Sequence, residues 1–148
     1  MKELNNEVEI NASAERVWRL LTDFASFPQW NPFIQRVNGE PKLGAKLEVT
    51  IRPSGAQGKT ARPTVMKAEP NHELRWLGRW LVPGLLDVEH IFTIDSLDPG
   101  RVRFTQREIF TGLFASLQAH SRNTDTRRGF REMGQALKLR AEQAQLSG

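Results

Sequence analysis

Three residues in the second half of the chain could do chemistry together: His90, Gln106 and Glu108. Each sits in a stretch that alternates polar and apolar residues, and period two sorts a strand into two faces. In LLDVEHIFTI, Leu86, Val88, His90, Phe92 and Ile94 share one face, with Asp87, Glu89 and Thr93 opposite. In RVRFTQREIF, Val102, Phe104, Gln106, Glu108 and Phe110 face one way, and Arg103, Thr105 and Arg107 the other. ELRWLGRWLV adds a third apolar face of Leu74, Trp76, Gly78, Trp80 and Val82, backed by Arg75 and Arg79. The three polar residues therefore stand among inward, aromatic-rich neighbours. An imidazole and a carboxylate so placed can take a proton from an acidic CH, and a carboxamide can donate to the oxygen on which charge develops. They can equally hydrogen-bond one another, or a helix end near the rim of the core, with a purely structural result.

Other chemistries find little support. The three histidines, His72, His90 and His120, fall on a turn, a strand face and a helix-side loop, without ligand spacing, and there is no cysteine for thiolate or disulfide chemistry. No Gly-rich phosphate loop or nucleophile elbow occurs. No cofactor and no metal is expected.

The elements that must position these residues read as follows. ELNNEVEI, residues 3 to 10, ends in the alternating Val8 and Ile10 of a half-buried strand. A helix is predicted over Ala14 to Thr22, with Ser13 as N-cap, Glu15 in its first turn, and Val17, Trp18, Leu20 and Leu21 on one face. Arg16 takes the place where a capping box would want Glu or Gln. Next comes the aromatic stretch DFASFPQWNPFI, in which Pro28 and Pro32 allow at most a second short helix over Phe24 to Trp30 and push Asn31 towards an extended conformation. A strand restarts at Ile34 to Val37. From there to about residue 110 the spacing of turn residues predicts a meander of about six antiparallel strands. Beyond Gly112, Phe130, Met133, Leu137 and Ala141 recur at helical spacing and predict a long C-terminal helix. Ser121, Thr124 and Asp125 are candidate caps for it, and an extra turn over GLFASLQ is left open. That helix alone carries a stripe long enough to cover the sheet, which gives an α+β, helix-on-sheet architecture.

The totals bound the rest. With 148 residues, 39% hydrophobic and 26% charged, the chain fits one globular domain over residues 1–148. MKELNNEVEI lacks the apolar stretch of a signal peptide, and no run approaches the roughly 18 apolar residues of a membrane span. A cytoplasmic location without membrane insertion is the expectation. Net charge is +4, but the densest group, Arg122, Arg127, Arg128 and Arg131, is interleaved with Asp125 and Glu132 and reads as a solvated helix face. No nucleic-acid partner is expected.

Several motifs in order carry a resemblance. They are the helix ending AERVWRLLTDF, the F-x-x-W-x-P-F of Phe27, Trp30, Pro32 and Phe33, the G-x-x-L-x-V of Gly44, Leu47 and Val49, the L-x-W-x-G of Leu74, Trp76 and Gly78, the H-x-F of His90 and Phe92, and the E-x-F-x-G of Glu108, Phe110 and Gly112. From about residue 5 to residue 143 the chain resembles the START-like (SRPBCC) superfamily, and within it the polyketide cyclase/dehydrase and lipid-transport-like group. The resemblance implies a helix-grip (START/Bet v 1-like) fold: a curved antiparallel sheet round the long helix, two short helices closing one end, and an internal cavity. It places Trp30 and Phe33 near the cavity mouth. Trp76, Trp80, His90, Phe92, Gln106, Glu108, Phe110, Phe130, Met133 and Leu137 would line it.

That superfamily binds lipids, sterols, polyketides and other apolar molecules, and only some branches are enzymes, so resemblance does not fix function. A small hydrophobic or aromatic ligand held between sheet and helix is the expected partner, with a monomer or homodimer as the assembly. A cyclase/dehydrase would have His90 and Glu108 as its catalytic candidates, but the chain has no tyrosine to serve as a phenolic donor. A third possibility is an interaction module whose cavity is filled by its own side chains.

Overall fold

Helix α1, Ala14–Thr22, begins where Ser13 Oγ accepts the Arg16 N–H at 3.1 Å, the N-cap bond that the sequence predicts. It buries Val17, Leu20 and Leu21 and ends at Asp23, whose N–H donates to Arg19 O. A 3-10 turn, Phe24–Ser26, leads into the single-turn helix α2, Phe27–Trp30, with Pro28 in its first turn, where a missing N–H costs nothing. Asn31 before Pro32 is extended, at φ −90° and ψ 112°.

This computed structural model describes residues 2–52, 58–80 and 84–147, leaving out the side chains of residues 2, 80, 116–124 and 144–147. Its strands are β1 (Lys2–Ile10), β2 (Ile34–Asn38), β3 (Glu48–Ile51), β4 (Lys59–Ala61), β5 (Thr64–Glu69), β6 (Glu73–Trp80), β7 (Leu86–Asp98) and β8 (Arg101–Thr111). All described pairings are antiparallel, in the order β1-β8-β7-β6-β5 for one sheet and β2-β3-β4 for the other. The stretch TARPTVMKAE holds the end of β4 and all of β5. Pro63 has no N–H to give a ladder, and the chain passes there from one sheet to the other. Backbone bonds from Leu47 N to Pro63 O and from Val65 N to Ala45 O stitch the sheets together at that corner.

Helix α3 spans Ala115–Ser147 and lies across β1 and β8. It is longer than the apolar stripe suggests: Ser121, Thr124 and Asp125 lie inside it rather than at its cap, GLFASLQ runs into its first turn, and His120 belongs to the helix rather than to a loop. Arg127, Arg128 and Arg131 are exposed, as a solvated face requires, while the side chain of Arg122 lies outside the described residues. Thr126, Phe130, Met133, Leu137 and Ala141 form the buried stripe of α3. Gly129 borders it because Phe33 lies there: a Cβ at Gly129 would fall 2.1 Å from a carbon of the Phe33 ring. At the other end, β8 stops at Gly112, where φ is +102° and a Cβ would meet Leu85 O at 2.7 Å.

Candidate functional site: the buried polar row beneath the C-terminal helix

Register turns the face assignments into neighbours. Trp76 on β6 is opposite His90 on β7, His90 is opposite Glu108 on β8, and Glu108 is opposite Leu4 on β1. The next inward row runs Leu74, Phe92, Gln106 and Asn6. Directly opposed residues of an antiparallel pair have Cβ atoms about 4.5–5.5 Å apart, so the imidazole and carboxylate that the sequence singled out are immediate neighbours. The outer faces of the same strands carry the charges: Arg75 bridges Glu73 at 2.8 Å and Glu89 at 3.2 Å.

All three candidate polar residues are buried, with His90 3% exposed, Glu108 2% and Gln106 0%. Rings enclose His90. Phe92 stacks on it with centroids 4.3 Å apart, and Phe130 and Trp76 lie at 5.3 and 5.4 Å. Gln106 reaches across to α3, where its Nε2 donates to Phe130 O at 3.1 Å. Because a carbonyl can only accept, that bond fixes the orientation of the carboxamide. Gln106 Oε1 is thereby turned away, buried and without a hydrogen-bond partner among the described residues.

The aromatic stretch after α1 joins this row. Trp30 packs edge-on against Phe27 at 5.3 Å, Phe27 against Phe24 at 5.5 Å, and Phe24 against Trp76 at 6.4 Å. A chain of rings thus leads from the half-buried Trp30 to the buried His90. Phe33 enters from the other side and meets Phe130 edge-on at 5.8 Å. It is fully buried beside Gly129.

Of the residues expected to line the site, Trp76, His90, Phe92, Gln106, Glu108, Phe110, Phe130, Met133 and Leu137 are buried on the inward faces of sheet and helix, and Trp30 is half-buried at the edge. The Trp80 side chain lies outside the described residues. Two polar neighbours escaped the sequence reading. Thr126 is buried one turn before Phe130, and Asn6 sits opposite Gln106. Both were open to detection by carrying the period one step further, four back from Phe130 and two back from Val8. Among the described residues no group of His, Asp and Glu could hold a metal ion, and no helix is long and apolar enough to cross a membrane.

An antiparallel sheet covered by one long C-terminal helix, with short helices after the first strand and a polar row buried between, defines a START-like helix-grip protein. The chain belongs to the family described as polyketide cyclase / dehydrase and lipid transport, whose model matches residues 1–143. Among solved structures it is similar to a START superfamily protein from Mycobacterium smegmatis, at 21% identity and TM-score 0.68 over 96% of this chain and 98% of that one. It is also similar to the Zhui aromatase/cyclase from Streptomyces sp. R1128, at 16% identity and TM-score 0.72 over 96% and 94% of the two chains. The di-domain ARO/CYC BexL from the BE-7585A biosynthetic pathway matches at 12% identity and TM-score 0.72, over 94% of this chain and 47% of that one. The chain thus spans about half the length of that di-domain protein. No curated protein matches it in sequence. At these identities the structural likeness establishes the fold alone.

Proposed function

We propose that the chain binds a small, mostly apolar aromatic ligand between the β1-β8-β7-β6-β5 sheet and α3, and that the ligand carries a hydroxyl or enol. The observation behind this reading is Gln106. A fully buried carboxamide oxygen without a hydrogen-bond partner costs on the order of 1–3 kcal/mol, and an O–H presented by a ligand recovers it. The surrounding rings of Phe92, Phe130 and Trp76 suit a flat aromatic body. The family description, with its polyketide and lipid cargoes, is in keeping with the same class. Since these side chains are at most 4% exposed, a ligand takes its place by displacing rings. The aromatic segment that carries Trp30 is held by only a 3-10 turn and a single helical turn, which makes it the place where such rearrangement costs least.

Melting of the protein with 2-naphthol and with naphthalene tests this directly. Naphthol at one hundred times its Kd stabilises by about 2.7 kcal/mol, naphthalene should do less at equal concentration, and Gln106→Leu should erase the difference. No change in melting temperature with either compound overturns the reading.

A second reading, catalysis, is favoured by the cross-strand placement of His90 against Glu108. In it, Glu108 takes a proton from an acidic CH while Gln106 and the His90 imidazole orient the substrate. Solvent deuterium exchange at the acidic CH of 2-tetralone should then be accelerated by the protein and lost in Glu108→Gln, with 2-naphthol affinity largely retained. Equal exchange rates with and without protein refute it.

A further inference from the structure

A concavity lies on the outside of the molecule, away from the buried row. It is a cleft of about 490 Å³ lined by Pro28, Asn31, Gln35, Arg36 and Thr50. Ile34, Val37 and Val49 of the same strands are buried in the core, so the cleft occupies the opposite face of β2 and β3.

Two local devices build it. The first is a β-bulge between Ile34 and Arg36, which breaks strict alternation. Burial returns at Val37, three residues after Ile34 instead of two, and Gln35 and Arg36 are both left to line the cleft opposite Thr50. The second is the turn at Asn31, whose Oδ1 accepts the N–H groups of Phe33 at 3.0 Å and Ile34 at 2.9 Å. Those two bonds fix the carboxamide, so Nδ2 is the end left over. Asn31 is 4% exposed, and its Nδ2 is buried without a hydrogen-bond partner among the described residues.

The charge balance points one way. The Arg36 side chain makes no ion pair or hydrogen bond among the described residues, and none of the described residues lining the cleft carries a carboxylate. A guanidinium fork, a fixed amide N–H and the Thr50 hydroxyl are donors on residues that line one cleft, and the planar fork of Arg matches carboxylate and phosphate oxygens. We propose that this outer cleft is an oxyanion site that takes the carboxylate or phosphate group of a small molecule. Arg36 supplies the charge, while Asn31 Nδ2 and Thr50 Oγ1 supply the directed hydrogen bonds. The site is independent of the buried aromatic one, which 2-naphthol probes without offering an oxyanion.

The test is a ¹H–¹⁵N NMR titration of the full chain with sodium phosphate and, separately, sodium acetate, each against sodium chloride at equal ionic strength. Saturable shifts are expected at the Asn31 side-chain amide and at the Gln35, Arg36 and Thr50 backbone amides with at least one of the two anions. A response to phosphate alone or to acetate alone assigns the group, and either supports the site. Arg36→Gln, at an exposed position, should weaken binding at least tenfold. Asn31→Asp keeps an oxygen for the Phe33 and Ile34 N–H groups but removes the donor, and it should also weaken binding at least tenfold with the fold retained. Shifts that do not saturate, that chloride reproduces, or that survive Arg36→Gln overturn the proposal.

Discussion

Replacing Gly129 by alanine tests the packing of α3 on the site most sharply. Helix propensity alone favours the change by about 1 kcal/mol. The structure predicts the reverse. The new methyl would lie 2.1, 2.3 and 2.7 Å from three carbons of the Phe33 ring, against an ordinary carbon contact of about 3.5–4.0 Å. The ring would have to retreat by roughly 1.5 Å, yet Phe33 is 1% exposed and flanked by Phe130. Overpacking of this kind costs about 1–3 kcal/mol or more, which against the propensity gain of about 1 kcal/mol leaves Gly129→Ala destabilised by up to about 2 kcal/mol. Gly134→Ala is the control on the same helix. Its methyl would meet Val8 Cγ1 at 3.4 Å and Asn6 Nδ2 at 3.5 Å, which is ordinary contact, so the propensity gain of about 0.5–1 kcal/mol should survive. Denaturant unfolding of the two variants should therefore differ by about 2 kcal/mol, or roughly 4–8 °C in melting temperature for a chain of this size. In the double variant with Phe33→Ala the two losses should fall short of additivity by about 1 kcal/mol or more, because each change relieves the other. Equal stability of Gly129→Ala and Gly134→Ala, or strict additivity with Phe33→Ala, would refute the reasoning.

Further outcomes follow from single contacts. Gln106→Leu removes the bond to Phe130 O and the unsatisfied oxygen together, so its stability should stay within about 1 kcal/mol of the parent. Gln106→Glu sets a carboxylate against the Phe130 carbonyl and should cost more than about 2 kcal/mol, as read by urea unfolding at neutral pH. Ser13→Ala should lose about 1 kcal/mol with the N-cap of α1, and Ser13→Asp should retain most of it by thermal melting. Gly112→Ala combines φ +102° with a Cβ 2.7 Å from Leu85 O and should cost about 2–4 kcal/mol on the same assay.

The inward row was legible chiefly through β8, where burial follows strict alternation from Val102 to Phe110 without a break; β7 departs from it at Ile91, which is buried on the opposite face. Helix α1 was legible down to its ends, since Ser13 gives a start signal and Val17, Leu20 and Leu21 repeat at helical period. The start of α3 was not, because residues 116 to 125 are mostly polar and carry no apolar period. The division of β4 from β5 turned on which sheet each strand joins, a tertiary choice that Pro63 permits but does not announce. The outer cleft was hidden for a similar reason: a bulge adds one residue to a strand, and alternation read along one chain cannot see the register with Thr50 that reveals it. That His90 faces Glu108 also depended on the turn between β7 and β8, where the register shifts between Ser96 and Asp98.

The central claim is that an aromatic ligand with a hydroxyl is held beneath α3 among Trp76, His90, Gln106 and Glu108, which occupy two adjacent inward rows. It is tested most directly by NMR, with the Met and Leu methyls, the tryptophan indoles and the glutamine side-chain amides followed during a titration with 2-naphthol. Saturable shifts at the Met133 and Leu137 methyls, the Trp76 indole and the Gln106 carboxamide are predicted, with exposed Leu43 and Leu139 unmoved. Shifts confined to exposed side chains such as Leu113, with Met133 and Gln106 silent at saturation, would contradict the claim.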